Sequence, residues 1–266
     1  MDQVPTKKRF YSLLPSERQQ RILELIREGT GIRVSHLSEL LGVSEMTIRR
    51  DLAVLEQQGV AERTHGGAVF RQEQVVDKFR YQDSIRENPQ GKRRIAQRAA
   101  VLINPNDTVY LGEGAKCAQI VRYVESGMPF TIFTNNLGVI SEIGDKAAEL
   151  TLLGGTYNPT THALAGPITM EMIRQVYATK VFLGADGLSL SAGLTTPNLE
   201  MAAIERSMIR HTRGQVIVLA DHSTFGLVAD MVIAPIKRAD VLITDQDIPA
   251  EFQKDLESMG IRILVV

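Results

Sequence analysis

The sequence predicts an α/β chain in two parts: a small helical unit closed by a hairpin, then a larger, mostly parallel sheet covered by helices. Three observations predict it. Short capped amphipathic segments crowd residues 15–59. A glycine pair, Gly66-Gly67, separates two strand-like runs over 60–70. From Lys92 onward, continuous apolar runs alternate with helical segments, as buried parallel strands and their crossover helices do.

Each element has a local reason. Residues 1–14 read as a basic tail. Ser16-Glu17-Arg18-Gln19 is a capping box for a first helix with Ile22, Leu25 and Ile26 as its apolar stripe, stopped by Gly29. A second short helix is expected from Ser35, with Leu37, Leu40 and Leu41 inward and Gly42-Val43 as its break. Ser44 caps a third, Glu45 to Gln58, with Ile48, Leu52 and Leu55 at i, i+4 and i+7. With the hairpin over 60–70, residues 15–70 match a winged helix-turn-helix. About twenty polar residues, 71–91, ending in the breaker-rich Asn88-Pro89-Gln90-Gly91, read as a linker.

Residues 92–266 form the α/β part. A helix is expected from Lys92 to Ile103. Strands are expected at Thr108–Leu111, Phe130–Phe133, Leu150–Leu153, Val181–Leu183, Val216–Leu219, Val241–Thr244 and Ile261–Val265. Helices are expected at Cys117–Glu125, Leu137–Lys146, Ile168–Tyr177, Asn198–His211 and Ala250–Ser258.

Composition excludes several classes. Hydrophobic residues are 44% and charged residues 23% of 266, an ordinary globular balance that rules out disorder as the dominant state. No apolar run approaches the roughly 18–20 residues of a membrane span, so no membrane partner is expected. The polar, basic start from Met1 to Phe10 lacks the apolar core of a secretory signal, and a cytoplasmic protein is expected. A single cysteine, Cys117, and histidines without i, i+4 pairing give no reason to expect a metal or other cofactor. The absence of Trp and 5% aromatic content speak against a stacking surface for single strands. Residues 1–71 hold 11 Lys+Arg against 9 Asp+Glu, and the remainder 19 against 22, so +2 faces −3. That asymmetry is small, and any nucleic-acid role must rest on where the charges sit.

They sit on the third helix. With Ile48, Leu52 and Leu55 inward, Thr47 and Arg50 point outward and Arg49 lies on the flank of the first two turns, the part of a recognition helix that meets base edges. Arg pairs with guanine in bidentate fashion, and Thr contacts phosphate or a thymine methyl. Ser44 leaves helix amides for a phosphate. Arg63, His65, Gly66 and Gly67 place a cation and donors at the wing. A solvated helix face is the bland reading of Arg49 and Arg50 alone. The combined helix, turn, helix and wing favours double-stranded DNA.

These motifs, Ser16-Glu17-Arg18 with Ile22-Leu23, Leu37 to Leu41, Val43-Ser44, Thr47-Ile48-Arg49-Arg50-Asp51-Leu52 and Arg63-Thr64-His65-Gly66-Gly67-Ala68, resemble the DeoR family of bacterial transcription regulators. The resemblance covers about residues 16–266. It implies a repressor of a carbohydrate-utilisation operon. Its C-terminal domain would resemble ribose-5-phosphate isomerase in fold and sense a metabolite, usually a phosphorylated sugar.

The glycine-bearing turns after the predicted strands are the candidate effector loops, because ligands of open parallel sheets lie at the strands' carboxyl ends. They are Gly112-Glu113-Gly114-Ala115-Lys116, Thr134-Asn135-Asn136, Gly154-Gly155, the turn bearing Asp186, and Asp221 to Thr224. As a dinucleotide fingerprint, Gly112 and Gly114 lack the third glycine. The family's usual Asp-x-Gly-Thr-Thr is replaced by Gly112-Glu113-Gly114-Ala115-Lys116. Its usual Glu-Ala-x-Val-Lys becomes Met201-Ala202-Ala203-Ile204-Glu205, and its Ser-Lys-Phe-Gly becomes Ser223-Thr224-Phe225-Gly226. Two hydroxyls and two lysines are thereby missing from positions implied to hold a phosphate, and Glu205 reverses a charge. The effector is expected to be a sugar or sugar phosphate in an altered pose, a polyol, a sugar acid held by Lys116, or a ligand carrying an amine. A homo-oligomer is expected, since two recognition helices are the usual route to affinity. The alternative is an isomerase or transferase with Glu113, Asp186 or Asp221 as base. Likeness of frame is weak warrant for it, and no catalytic residue is assigned.

Overall fold

The computed structural model describes residues 32–57, 61–64, 67–70 and 81–266, together with 18, 19, 21, 22 and 25. The tail 1–14, Ser16, His65 and Gly66 lie outside the described residues. The chain divides into two units, 1–75 and 76–266.

In the first unit, β1 (Ile32–Arg33) precedes α1 (Val34–Leu41) and α2 (Glu45–Gln57). The wing is β2 (Ala61–Thr64) paired antiparallel with β3 (Gly67–Phe70), and β3 also pairs with β1. Strand β1 is too short to read from sequence. Ile22, Val34, Leu37, Ile48, Leu52 and Leu55 form the core. Leu40, expected inward, is 44% exposed. The buried stripe runs Val34, Leu37, Leu41, and Leu40 falls off that i, i+3, i+7 row. Gly42 adopts φ +66 at the end of α1, the left-handed cap that a tight turn needs.

The second unit opens earlier than expected. Helices α3 (Tyr81–Arg86) and α4 (Pro89–Ala100) occupy the latter half of the stretch read as a linker. Asn88-Pro89 is a helix start rather than a break. The Asn88 side chain accepts from Gly91 N at 3.1 Å, and Pro89 takes the first helical position, where its missing N–H costs nothing.

Seven strands form the main sheet: β4 (Thr108–Leu111), β5 (Phe130–Thr134), β6 (Ala148–Leu152), β9 (Ala178–Gly184), β12 (Thr212–Leu219), β14 (Val241–Thr244) and β15 (Arg262–Val265). Their order is β15-β14-β12-β9-β4-β5-β6, and every pairing is parallel. Crossovers include α5 (Ala115–Tyr123), α6 (Gly138–Ile143), α7 (Pro167–Arg174), α8 (Leu199–Arg210) and α9 (Ala250–Ser258). Apolar clusters pack both faces, one around Tyr110, Leu183, Met201 and Val218, the other around Ile95, Leu111, Ile120 and Phe182. A β7–β8 hairpin (Thr156–Asn158 with Ala163–Ala165) and a small sheet of β10 (Gly187–Ser189), β11 (Gly193–Thr196) and β13 (Met231–Ala234) were not expected. These strands have only three or four residues each, too few to show a period. The fold is a winged helix-turn-helix unit followed by a parallel α/β unit.

Candidate functional site

The first face is on α2. Ser44 Oγ accepts from Thr47 N at 3.2 Å and shares a hydrogen bond with Thr47 Oγ1 at 2.9 Å, which fixes the first turn. Ile48, Leu52 and Leu55 are buried, whereas Arg49 and Arg50 are exposed. Arg49 pairs with Glu45 at 3.6 Å, both about half exposed, a contact weak enough to be exchanged for phosphate. Sequence reasoning missed what holds this helix. Buried Asp51 accepts from Arg18 Nε at 2.5 Å and from Gln19 Nε2 at 3.2 Å, tying α2 to the first helix. Both residues stand inside quoted motifs, but nothing in the motifs pairs them. Arg63 and Gly67 belong to the described wing backbone.

The second feature is a cavity of about 440 Å3. It lies where the central strands β4, β9 and β12 end, so the loops that follow them line it. Glu113, Gly114, Ala115 and Lys116 come after β4, Asp186 after β9, and Asp221 and Thr224 after β12; Glu205 reaches in from α8. Six other candidates are not among its lining residues. Thr134 Oγ1 donates to Leu111 O at 2.6 Å, and Asn135 Nδ2 to Leu164 O at 2.9 Å. Asn136 Nδ2 donates to Gly112 O and Gly114 O at 3.1 and 3.0 Å, so it shapes the β4 loop from behind. Gly154 and Gly155 pack on α7. A Cβ at Gly155 would stand 2.3 Å from Thr169 Oγ1, and its φ is +149. Gly112 itself makes room, since a Cβ there would stand 3.2 Å from Glu205 Oε1.

The cavity also gathers residues that sequence reasoning missed, chief among them Tyr81, Ser84, Asn88, Lys92 and Thr196, and it takes in His222 from the predicted Asp221–Thr224 loop. Lys92 Nζ donates to Ser84 O. Asn88 Nδ2 donates to Asp245 Oδ2 at 3.3 Å, and His222 Nδ1 lies 2.7 Å from the same carboxyl. For Asn88 and Lys92 the only sequence signal was the capped start of α4, which the linker reading discarded.

Electrostatics divide the cavity. Lys116 Nζ lies 3.1 Å from Asp221 Oδ2, both side chains nearly buried. Burial pushes the Asp221 carboxyl up, but Lys116, Ser223 and Lys92 outweigh it and hold it at about 2. Burial does the opposite elsewhere. It raises Glu113 well above the carboxylate range, helped by Glu205 and Asp186, and raises Glu205, helped by Asp186. Asp186 is pushed up to about 6 by burial, against the pull of the Thr196 hydroxyl and Lys116. The raised group sets a sign. Between about pH 4 and 6 the folded chain keeps an Asp186 proton that the unfolded chain has released, so stability falls as pH rises through that window. Asp221 acts oppositely, its contribution disappearing only as pH falls from about 4 towards 2. Thermal unfolding of the ligand-free chain is therefore expected to show a higher midpoint at pH 5 than at pH 8. The Asp186→Asn and Glu205→Gln variants should flatten that difference, and an unchanged slope would remove these carboxyls as its source.

Comparison with known proteins gives each unit a description. The description "DeoR-like helix-turn-helix domain" matches residues 18–74, and "DeoR C terminal sensor domain" matches residues 87–246. The chain is 33% identical to the HTH-type transcriptional regulator GlpR of Haloferax volcanii, over 95% of this chain and 98% of that one. It is 31% identical to the HTH-type transcriptional repressor GlcR of Bacillus subtilis, over 94% and 95%. Among solved structures, ribose 5-phosphate isomerase A of Methanocaldococcus jannaschii is similar over 52% of this chain and 55% of that one, at a TM-score of 0.39 and 16% identity. A likeness of that size carries no argument about activity. With one family description matched by each of its two units, the chain belongs to the DeoR family of transcriptional regulators.

Proposed function

We propose that this regulator represses a carbohydrate or polyol catabolic operon and leaves its operator when a sugar-derived effector enters the C-terminal cavity. The observation that carries the reading is the joining of two features in one chain: exposed arginines on the first turns of a capped helix, and a polar cavity at the ends of the central strands. The repressor among the similar proteins supports the sign of regulation. The DNA contacts are assigned to Ser44, Thr47, Arg49, Arg50 and the wing residues Arg63, His65, Gly66 and Gly67. The effector contacts are assigned to the lining set of Glu113, Gly114, Ala115, Lys116, Asp186, Glu205, Asp221 and Thr224. The regulator works in the cytoplasm as a homo-oligomer, which displays two recognition helices to two half-sites. No helix of the described residues is long and apolar enough to cross a membrane.

Turnover is not part of this reading. An enediolate needs a cation facing it, yet Lys116 is paired with Asp221 and Lys92 with Ser84. Asp186, near 6, is the feature that favours the enzyme alternative, and an isomerase assay with pentose and hexose phosphates tests it.

Selection of genomic duplex fragments by the purified chain, followed by a salt titration of the enriched fragment, tests the main reading. Affinity should fall steeply with salt as phosphate contacts release counterions. Arg49→Ala and Arg50→Ala should each cost about 1–3 kcal/mol of binding where they read a base. No enriched fragment, or full affinity in both variants, defeats the assignment.

A further inference from the structure

We propose that the effector carries a protonated amine, received by Glu113 and Glu205 with Asp186 beside them, so that its class is the amino sugars and amino polyols. The inference rests on the cavity being the effector site.

Two carboxyl groups in the cavity lack partners. Glu205 is only 3% exposed, and no hydrogen bond reaches its side chain among the described residues. Glu113 Oε2 is sealed from water without a hydrogen bond. A buried polar atom without a partner is costly, and a native structure keeps one where a ligand will meet it. The two groups are neighbours: both line the cavity, and each carboxyl feels the other's charge or that of Asp186. The point where a Cβ would stand on Gly112 is 3.2 Å from Glu205 Oε1. Asp186 closes the group, and its charge acts on both Glu113 and Glu205.

The charges around the cavity select the sign of the ligand. Glu87, Glu113, Asp186, Glu205 and Asp221 line it against two lysines and His222, which is itself paired with Asp245 at 2.7 Å. Neither lysine is idle: Lys116 lies 3.1 Å from Asp221, and Lys92 donates to Ser84. A phosphate dianion entering here meets carboxyls at Glu113 and Glu205 and only engaged cations. An ammonium meets the reverse. It brings three donors and a positive charge to three carboxyls, and it replaces the protons such a cluster otherwise holds. A neutral hydroxyl brings one donor and no charge.

Matched probes decide the matter. Thermal unfolding of the full chain is recorded with glucosamine, galactosamine, mannosamine and glucamine. Each is set beside its parent sugar or polyol, and each amino sugar also beside its N-acetyl form and the 6-phosphate of its parent sugar. At least one amine should raise the midpoint while its uncharged and phosphorylated counterparts do not. Glu205→Gln and Glu113→Gln should each weaken that amine by about tenfold or more, because a charge-assisted hydrogen bond is lost. No shift with any amine overturns the inference, as does an equal shift with a neutral or phosphorylated counterpart, or wild-type affinity in both variants. If Glu205→Gln does not fold, Glu113→Gln and the matched wild-type series still decide. Duplex binding is followed in parallel. Retained duplex binding with no amine response defeats this inference alone, whereas an amine that binds without releasing the duplex defeats the effector reading of the cavity.

Discussion

Lys116→Met is expected to lower the stability of the C-terminal unit by about 3–5 kcal/mol, the usual cost of breaking a buried ion pair from one side. The lysine Nζ stands 3.1 Å from Asp221 Oδ2, with side-chain exposures of 11% and 4%. Methionine keeps most of the volume, so the loss is electrostatic rather than a cavity. It leaves the Asp221 carboxylate buried with Ser223 as its nearest donor and Lys92 as a more distant cation. Asp221 also caps the short turn His222–Thr224, so strain at the carboxylate spreads to the loop. The double variant Lys116→Met with Asp221→Asn removes both charges and should recover most of the loss, because well-matched neutral replacements are often tolerated. Urea unfolding of the three variants measures this. A single-variant loss of under about 1 kcal/mol would place the pair among the weak contacts typical of exposed sites.

Leu52→Ala is expected to abolish duplex binding by unfolding the first unit. Truncating a fully buried leucine costs about 2–5 kcal/mol. Six buried side chains, Ile22, Val34, Leu37, Ile48, Leu52 and Leu55, make up that unit's core among the described residues. A domain near 60 residues is marginal, buries only about 60% of its chain's surface, and has little stability to spare. Leu52 also sits one residue beyond Asp51, so its loss loosens the helix that the Arg18–Asp51 pair holds. Calorimetry should show the transition of the first unit shifted or missing and that of the C-terminal unit retained. A Leu52→Ala chain that binds duplex normally at 37 °C would contradict the core assignment.

The elements legible in the sequence were those whose signal is local. Ser44 capped α2 as its hydroxyl chemistry requires, and Ile48, Leu52 and Leu55 turned inward at the spacing of one helix face. All seven expected strand runs coincide with strands of the parallel sheet, give or take a few residues at their ends. Glu113, Lys116, Asp186, Asp221 and Thr224 were legible as cavity residues because loops at strand ends converge in open sheets, and Glu205, on α8, through its departure from the resembled family pattern. What was not legible depends on contacts distant in sequence. Asn88 and Lys92 enter the cavity at the start of α4, whose Asn88-Pro89 looks like a break, and Tyr81 enters from the opening of α3. Thr134 and Asn136 carry the polar side chains of ligand residues, yet they spend them on Leu111, Gly112 and Gly114 carbonyls. The strand order and the Arg18–Asp51 pair leave no periodic trace at all.

The space at Gly112 also constrains how such a cavity changes over time. The resemblance noted in the sequence implies an aspartate at this position and a lysine at position 205, whereas this chain has Gly112 and Glu205. An aspartate introduced at 112 first would set its Cβ 3.2 Å from Glu205 Oε1 and 2.8 Å from Leu183 Cδ2, adding a carboxylate to an enclosed acidic group. Introduced after Glu205 has become lysine, the same aspartate gains a counter-charge. Gly112→Asp is therefore expected to be tolerated better in a chain that also carries Glu205→Lys than alone, so the pair should behave non-additively in unfolding measurements.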